Sequence, residues 1–564
     1  MPALPARPAR LRPHARPARS ALFGYIFGTA SYEGGTETEQ YYGSSSSASY
    51  YIPTGLTSVT VTGGKILDYA FAGCSSLEEI VLGDGVTEIG SHAFDGCTAL
   101  TCATIGDGVT AVGDYAFGGC TALTGIDFGS GVTSIGNYAF EDCTALSSVT
   151  VPYSVTAVGS GAFSGCTALS DLDLGSGVVS IGNNAFEGCT ALSSVTVPYS
   201  VTGIGDYAFY GCTSLASVSF QGSVATVGDY AFSGCTSLSE LDLGEGVSSL
   251  GEYAFYGCTS LTSVSVPDSV ASIGAGAFFG CSALESITLP FVGGEASASS
   301  ASASTLFGYI FGTVSYDGSS YARQYYSGTP STTVTTTGTA SKTYYIPTGL
   351  TSVTITGGQI LYGAFCNCTY LVSVTLPDGI ETIGGYAFYG CTSLETADIP
   401  DSVTSIGVGV FRNCTSLTSV IIPDSVTSFE GSYVFDGCTS LVSVTIGSSL
   451  TSIEKYAFRN CTSLTSITIP DSVTSIGTYE FRYCTSLVSI TIGSGVTSIG
   501  NYAFDGCTSL TTVYYAGTEE QWDSITISST GNTYLTSATT YYYSETEASG
   551  YWHYDDSGEI EIWD

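Results

Sequence analysis

One short phrase recurs seventeen times along this chain and limits the folds that the chain can adopt. The phrase has the form A-F-x-G-C-T-x-L-x-x-V-x-V, with Phe three residues before each Cys and Leu three residues after it. Ten copies run from Cys74 to Cys281 in steps of 23 residues. Seven more run from Cys368 to Cys507, with one step of 24 residues between Cys414 and Cys438. A fixed period of this length predicts a solenoid, in which each repeat forms one coil and stacked neighbours complete a shared core.

A single repeat shows the expected secondary structure of a coil. Residues 192–198 alternate apolar and polar side chains, which predicts a short strand with Val195 and Val197 directed inward. Residues 201–205 predict a second short extended segment, and Pro and Gly mark the corners between the two. Residues 208–212 are too few for a full helix and predict a single helical turn. We therefore expect a mainly β solenoid of short strands and single helical turns.

The repeated Phe, Cys and Leu positions are expected to form columns in the core, because they always lie together on the apolar side of the turn. Representative members are Phe140, Cys143, Leu146, Phe209, Cys212, Leu215, Phe481, Cys484 and Leu487.

The Cys column is interpreted as a row of small buried hydrophobic groups. Adjacent coils lie only ~4.8 Å apart, so disulfide pairing is not sterically excluded. Zinc is disfavoured because a linear column does not supply tetrahedral ligands. Cys102, at an outward strand position, is the thiol expected to be exposed.

The repeat also resembles a known family. L-x-x-V-x-V matches the leucine-rich repeat pattern L-x-x-L-x-L, and 23 residues fall within the range of that class. The segment from Ile469 to Leu487, I-P-D-S-V-T-S-I-G-T-Y-E-F-R-Y-C-T-S-L, is similar to the BspA-like, or Treponema-type, subclass. The resemblance covers about residues 56–515. It implies a right-handed leucine-rich repeat coil, and it implies a surface-exposed microbial protein that contacts host or microbial surface ligands.

Two long segments duplicate each other and predict two modules. LFGYIFGT stands at residues 22–29 and again at 306–313, and YYIPTGLTSVT stands at 50–60 and again at 344–354. The expected organisation is then read from composition and repeat boundaries. It consists of an Arg/Pro-rich, non-native or disordered leader (1–20), an N-terminal cap (21–55), a first array (56–292), a flexible Gly/Ala/Ser linker (293–305), a second cap or spacer (306–349), a second array (350–515) and an aromatic-rich C-terminal cap (516–564).

Charge and hydropathy exclude several kinds of partner. The 564 residues carry a net charge of −37 with only 12 Lys and Arg, five of them in the first 20 positions. This distribution argues against nucleic acid, because phosphate contacts need Lys and Arg. The sequence contains no apolar run of about 18 residues, so no membrane span is expected.

The leader, residues 1–20, lacks the apolar region of a signal peptide. Because the second LFGYIFGT follows a coil and the first follows only this leader, we expect a mis-called start or a fragment.

The outward strand positions of the first array are the candidate ligand face, because they vary between coils while the inward positions do not. They are Asp127, Asp171, Asp173, Glu240, Asp242, Thr196, Ser219 and Ser265. Coils that carry acids mostly alternate with neutral coils, which predicts carboxylates ~10 Å apart. A calcium site needs oxygens within ~2.6 Å of one ion. The alternation therefore favours spaced surface charge over a metal site.

Aromatic residues crowd the last 50 positions and allow two interpretations. One is a cap over the open end of the solenoid, and the other is a glycan-binding surface with Trp522 and Trp552 as contacts.

The chain has only three His and no catalytic motif in a coherent context, so no enzyme, cofactor or metal is expected. The resulting hypothesis is a secreted or cell-surface interaction scaffold that binds a host or microbial surface protein or glycan. The alternative is a glycan-binding or glycan-processing accessory protein.

Overall fold

The structure is a computed structural model that describes residues 35–43, 46–222, 224–328, 339–555 and 557–563. The predicted leader, the first LFGYIFGT and part of the first cap lie outside the described residues. The chain divides into two compact units. Unit 1 comprises the described residues up to Val247 together with Ala254–Cys258, and unit 2 comprises Ser248–Tyr253 and the described residues from Thr259 onward.

Unit 1 consists of short strands joined by turns. Its strands are β1 (Gly35–Gly43), β2 (Ser46–Pro53), β3 (Ser58–Ile66), β4 (Glu79–Ile89), β5 (Cys102–Ile105), β6 (Ala111–Val112), β7 (Gly125–Asp127), β8 (Ser134–Ile135), β9 (Ser148–Thr150), β10 (Ala157–Val158), β11 (Asp171–Asp173), β12 (Ser180–Ile181), β13 (Ser194–Val197), β14 (Gly203–Ile204), β15 (Ser217–Phe220), β16 (Thr226–Val227) and β17 (Glu240–Asp242). β1 and β2 form an antiparallel hairpin, and the other pairings in this unit are parallel.

Unit 2 contains further strands and very little helix. Its strands are β18 (Ser249–Leu250), β19 (Ser263–Ser265), β20 (Ser272–Ile273), β21 (Ser286–Leu289), β22 (Ser319–Ser327), β23 (Ala340–Pro347), β24 (Ser352–Ile355), β25 (Ser373–Thr375), β26 (Thr382–Ile383), β27 (Thr396–Ala397), β28 (Ser405–Gly407), β29 (Ser419–Ile422), β30 (Ser428–Glu430), β31 (Ser443–Ile446), β32 (Ser466–Ile469), β33 (Ser475–Ile476), β34 (Ser489–Ile492), β35 (Ser498–Ile499), β36 (Thr512–Tyr515), β37 (Thr526–Ile527), β38 (Thr539–Tyr543), β39 (Tyr551–Tyr554) and β40 (Ile560–Ile562). Its helices are two 3-10 segments, Ala303–Thr305 and Phe307–Phe311, and the short helices α1 (Glu519–Ser524) and α2 (Thr533–Thr536).

Each coil contributes one strand to each of two parallel ladders. In unit 1 one ladder runs β4–β5–β7–β9–β11, and the other runs β4–β6–β8–β10–β12–β14–β16, with β13–β15–β17 forming a separate sheet. Val195 and Val197 of β13 are buried while Ser194 and Thr196 are exposed, as the alternation predicts. The Phe side chains stack along the core of this unit, with centroids 5.2 Å apart for Phe117 and Phe140. The prediction of a mainly β solenoid is confirmed.

The segment expected as one helical turn differs from the prediction. Tyr207 adopts a left-handed conformation with φ of 58°, which interrupts the backbone angles that a helix needs. The Phe209 N–H donates to Ala231 O of the next coil at 2.7 Å, while the Cys212 N–H donates to Phe209 O within the segment at 3.3 Å. The backbone therefore alternates between local turns and bonds to the neighbouring coil, and no helix forms there.

The segment at residues 293–305, expected to be a flexible tether, is packed at both of its ends. Gly293 and Gly294 are buried, and the segment ends in the 3-10 helix Ala303–Thr305. β21, which precedes this segment, pairs in parallel with β24, which follows the second hairpin, so one ladder of unit 2 continues past the insertion. Small side chains made the segment resemble a linker, but here they allow close backbone packing. The remaining domain boundaries stay predictions.

Candidate functional site

The outward strand face of unit 1 carries two kinds of acidic side chain. Asp127, Asp171 and Glu240 are exposed, and no described residue bonds to their carboxylates. Asp173 and Asp242 are also exposed, but each accepts a hydrogen bond from a backbone N–H two residues later, at 2.9 Å and 3.0 Å. The first three carboxylates are therefore available to a partner, whereas the other two also hold their own turns.

Strand register sets the spacing of these carboxylates. In the parallel pairing of β11 with β9, Asp171 lies beside Ser148 and Asp173 lies beside Thr150. In the pairing of β17 with β15, Glu240 lies beside Ser217 and Asp242 beside Ser219. A neutral strand thus separates the acids of β7 from those of β11, which places them ~10 Å apart. In the described part of the chain, no group of three or more His, Cys, Asp or Glu side chains could hold a metal ion.

Hydroxyl groups accompany the acids on this face. Thr196 is exposed and Ser219 is half-buried, and the two lie side by side in the β13–β15 register. Ser265, in unit 2, is exposed. Other hydroxyls are already engaged, since Thr124 Oγ1 donates to Thr101 O of the preceding coil at 3.1 Å. The face therefore offers free carboxylates and free hydroxyls above a row of buried apolar side chains.

Acids outside the strand face have structural partners that the sequence did not reveal. Asp107 Oδ1 accepts hydrogen bonds from the Ser130 N–H at 2.7 Å and the Ser130 hydroxyl at 2.9 Å. These bonds lower the pKa of Asp107. Asp471 accepts the same pair of bonds from Ser494, 23 residues later. These two carboxylates therefore link consecutive coils.

The Phe, Cys and Leu columns lie in the core. Phe140, Cys143, Leu146, Phe209, Cys212, Leu215, Phe481, Cys484 and Leu487 are all 0% exposed. The thiols also donate hydrogen bonds, as Cys143 Sγ does to Phe117 O at 3.2 Å. Burial raises the pKa of the Cys143 thiol to about 12. None of the 19 cysteines forms a disulfide, and Cys102 alone is exposed.

A column of tyrosines on the turn face was missed by the sequence reasoning. In unit 2, Tyr433, Tyr456, Tyr479 and Tyr502 stack with ring centroids 4.7, 5.0 and 5.1 Å apart, and each has a positive φ. In unit 1, His92 stacks between Tyr69 and Tyr115 in the same way. Tyr recurs two residues before the repeat Phe, and this period was the signal that could have revealed the column.

Arginines lie over the tyrosine column of unit 2. Arg412 and Arg459 both donate to Asp436, whose side chain is 3% exposed, at 2.9 Å and 2.7 Å. Arg412 also lies 4.7 Å from the ring centroid of Tyr433. Arg482 bonds to Asp505 at 2.9 Å and lies over Tyr483 at 4.5 Å. These contacts satisfy the guanidinium groups within the protein, so this cluster supports the turn face.

One buried acid has no partner in the described residues. Glu480 is 0% exposed, occupies a position that is Ala in most coils, and neither carboxylate oxygen makes a hydrogen bond. Burial raises the pKa of Glu480 well above its ordinary value, and the charge of Glu454 raises it further. The nearby Ala457 backbone N–H partly opposes the shift, but it donates its hydrogen bond to Glu454 O at 3.2 Å rather than to the Glu480 carboxylate. Burial in the core therefore favours the protonated form of the Glu480 carboxyl in the folded protein.

The C-terminal aromatic block does not match its predicted glycan contacts. Trp552 is 0% exposed, and its indole N–H donates to Tyr515 O at 2.9 Å. It is therefore a core residue at the end of the β36–β38–β39–β40 sheet, and its predicted glycan contact is wrong. Trp522, on α1, is half-buried and packs edge-on against Tyr515 with centroids 5.3 Å apart. The described residues include no helix that is long and apolar enough to cross a membrane.

Comparisons with known proteins agree with the repeat and the coil. The family described as BspA type leucine rich repeat region (6 copies) matches residues 64–193, 179–295, 339–432 and 431–534. A search of curated proteins gave no match.

Similar solved structures include a leucine-rich repeat protein from Bacteroides ovatus, with 25% identity, coverage of 82% of this chain and 88% of that chain, and a TM-score of 0.30. A leucine rich cell surface protein from Faecalibacterium prausnitzii has 26% identity, coverage of 83% and 90%, and a TM-score of 0.23. The T. pallidum leucine rich repeat protein has 25% identity, coverage of 40% and 83%, and a TM-score of 0.26. Because the family match spans most of the sequence and its repeats coincide with the observed coils, the chain belongs to the BspA type leucine-rich repeat family.

Proposed function

We propose that this chain is a non-enzymatic interaction scaffold, and that the outward strand face of unit 1 binds a basic surface protein. The observation that carries the proposal is the set of exposed carboxylates of Asp127, Asp171 and Glu240, which no described residue neutralises. They lie on strands whose inward neighbours are fixed in the core, so the face can vary without loss of the fold.

Electrostatics favours a basic partner for this face. The chain carries a net charge of −37, and potentials of one sign steer an oppositely charged partner toward the surface. Free hydroxyls beside the carboxylates, such as Thr196, add hydrogen-bonding groups without adding charge. Leucine-rich repeat proteins typically bind other proteins and are typically not enzymes, which supports the same class of function.

The proposed setting is a secreted or cell-surface location, with a host or microbial surface protein as the partner. Proteins of the BspA-like family are bacterial surface proteins, and this supports the location. A glycan partner at the C-terminal block has less support, because one of its two predicted contacts, Trp552, is buried and the other, Trp522, is half-buried.

The test compares two variants of the full chain that lose the same amount of charge. The first carries Asp171→Ser, Asp173→Asn, Glu240→Ser and Asp242→Asn, with Asn retained where a side-chain oxygen accepts a turn hydrogen bond. The control carries Glu520→Gln, Asp523→Asn, Glu545→Gln and Glu547→Gln, which are exposed acids of the C-terminal block. Binding of a lysine-rich peptide, and capture of proteins from surface extracts, are measured over a range of salt concentrations.

The first variant is expected to bind more weakly and with a smaller salt dependence than the control. Both variants should unfold close to the unmodified protein, because surface substitutions usually change stability by less than about 0.5 kcal/mol. Equal binding by the two variants would place the site on another surface. Loss of capture in the C-terminal variant alone would favour the aromatic block.

A further inference from the structure

Two tyrosines of unit 1 extend into solvent at the same corner of the coil. Tyr199 and Tyr153 are 77% and 71% exposed, more than any other large hydrophobic side chain of the described residues. Both stand in the sequence Pro-Tyr-Ser-Val, and the four other corners of the form Pro-x-Ser-Val have Asp in that place. The two tyrosines therefore depart from the residue that this corner otherwise carries.

An Asp at this corner has a structural use elsewhere in the chain. The Asp424 carboxylate accepts hydrogen bonds from the Ser448 N–H at 2.6 Å and from the Ser448 hydroxyl at 3.0 Å. Ser176 stands in the same relation to Tyr153, but a tyrosine ring has no carboxylate to accept these two bonds. The chain thus forgoes a link between coils at this corner and presents an aromatic ring to solvent instead.

One coil separates the two exposed rings. In unit 1 the rings of Tyr115 and Tyr138, which are one coil apart, have centroids separated by 4.9 Å. Tyr153 and Tyr199 occupy equivalent positions two coils apart, which places them ~10 Å from each other along the solenoid. The intervening coil has the sequence Gly-Ser-Gly at this corner, residues 175–177, so no bulky side chain fills the gap.

A carboxylate lies beside this gap, and the surrounding coils supply no cation. Asp173 belongs to the intervening coil, and its carboxylate accepts a hydrogen bond from the backbone N–H two residues later at 2.9 Å, which directs it toward the corner. The sequence has no Lys or Arg between Lys65 and Arg323. In unit 2, by contrast, the Arg482 guanidinium lies 4.5 Å from the ring centroid of Tyr483. The tyrosines of this corner have no such cation from their own array.

The width of the gap selects one kind of cation. A cation midway between the two rings would lie ~5 Å from each, within the ~6 Å limit of cation–π contacts. In a trimethylammonium group the methyl carbons lie about 1.5 Å from the nitrogen, and a carbon contact adds ~3.5–4.0 Å, so the group reaches both rings. A primary ammonium is smaller and strongly hydrated, and a flat guanidinium stacks on one ring at a time.

We propose that Tyr153 and Tyr199 bind a trimethylammonium group, of the kind that choline carries, in the gap between their rings. The Asp173 carboxylate balances the positive charge of the ligand. The site shares Asp173 with the acidic strand face, but it takes a small ligand. It therefore does not depend on the basic protein partner proposed for that face.

The test measures the binding of labelled choline to the full chain by equilibrium dialysis. Saturable binding of one choline per chain is expected. The uncharged analogue in which a carbon atom replaces the nitrogen should compete at least fivefold more weakly, because it has the same shape without the charge. Tyr153→Ala and Tyr199→Ala should each weaken choline binding at least threefold. Asp173→Asn, which keeps an oxygen for the turn hydrogen bond, should also weaken it.

A matched control separates this site from general attraction to an acidic chain. Tyr321→Ala removes a tyrosine that is 69% exposed in unit 2 and should bind choline as the unmodified protein does. All three tyrosine variants keep the net charge of −37, so any unspecific attraction of the cation is the same in each. Thermal unfolding checks that every variant folds.

The outcomes distinguish the proposed ligand from other occupants. Absence of saturable binding, equal competition by the uncharged analogue, or unchanged binding by both folded tyrosine variants overturns the proposal. Binding of neutral oligosaccharides in place of choline, lost in the same variants, would assign the corner to a glycan and also overturn it. A peptide with one trimethyllysine presents the same group on a protein, and the tighter of the two probes identifies the source of the ligand.

Discussion

At the scale of single residues, the buried thiols show how a repeated core position can also satisfy the backbone. Cys189 Sγ donates to Phe163 O of the preceding coil at 3.3 Å, and the side chain is 0% exposed. A Ser hydroxyl at this position would find an acceptor already in place, whereas Val would remove the donor and add volume. Cys therefore combines the size of a small hydrophobic residue with one weak hydrogen bond.

Substitutions at Cys189 should reflect this hydrogen bond. We expect Cys189→Ser to cost about 1 kcal/mol and Cys189→Val to cost about 1–3 kcal/mol, because Val overfills a close-packed site. The free energy of unfolding measures both.

In the native protein a thiol-labelling reagent should react quickly with Cys102, the exposed thiol, and with the others only after unfolding. Rapid labelling of many thiols in the folded chain would contradict the buried column.

Glu480 makes the pH dependence of unit 2 predictable. Its pKa is raised in the folded state above the ordinary value of 4.5, so the folded protein retains a proton that the unfolded chain has lost. The contribution of Glu480 to stability is therefore largest below pH ~4.5 and falls as the pH rises. Glu480→Ala restores the residue found in most coils and should stabilise unit 2 by about 1–3 kcal/mol at pH 7.5. The gain should shrink at pH 4.

Hydrogen exchange of the Phe458 amide reports this local effect, because its N–H donates to Glu480 O at 3.1 Å. Glu454→Gln is the control, since Glu454 is only half-buried and its substitution leaves the Glu480 carboxyl in the core. Faster exchange in Glu480→Ala than in the unmodified protein at pH 7.5 would show that the carboxyl stabilises the coil.

At the scale of structural elements, the tyrosine columns end where a left-handed glycine replaces the next tyrosine. Gly161 has φ of 63°, and a Cβ at this position would lie 2.3 Å from the ring of Tyr138. Gly276 stands in the same relation to Tyr253, Gly409 to Tyr386, and Gly531 to Tyr502. Because glycine has no side chain, the last tyrosine ring of each stack can occupy the space that a Cβ of the next coil would fill.

Gly161→Ala should therefore destabilise unit 1 for two reasons. Alanine in the left-handed region costs about 1–2 kcal/mol, and the new methyl group collides with the Tyr138 ring. Gly125→Ala is the matched control, because a Cβ there meets nothing within 4 Å. In the double variant with Tyr138→Ala, the collision is absent and the additional cost of Gly161→Ala should be smaller. An equal loss of stability for Gly125→Ala and Gly161→Ala, measured by thermal unfolding, would contradict this account.

These elements also show what the sequence could predict. Inward positions such as Val195 and Val197 follow from strict alternation and a fixed period, so the core and the fold class were predictable. The bond from Ser130 to Asp107 and the unpartnered Glu480 depend on which residues of neighbouring coils become adjacent. The burial of Trp552 depends on the side of the final sheet that it faces. Composition placed aromatic residues at the C-terminal end but could not distinguish a core tryptophan from a surface one.

At the scale of the whole molecule, repetition means that each coil interacts mainly with its two neighbours. A coil removed in register should therefore leave a foldable chain in which two formerly separated coils become adjacent. Deletion of residues 144–166 removes β9 and β10 and keeps the 23-residue period. In the natural chain Thr150 lies between Asp127 and Asp173. The deletion would bring β7 beside β11, so that Asp127 lies directly next to Asp173.

The deletion should lower stability in low salt, because like charges on directly opposite strand positions repel each other. With strands ~4.8 Å apart, the carboxylates would be about half as far apart as in the natural chain. The expected penalty is below about 1 kcal/mol, and ~0.5 M salt should remove most of it, because screening acts strongly on exposed charges. Deletion of residues 144–189 is the control, since it removes two coils and places Asp127 beside Thr196. Thermal unfolding of both chains at low and high salt measures the difference. If the two deletions showed the same salt dependence, the alternation of acidic and neutral coils would have no electrostatic role in this fold.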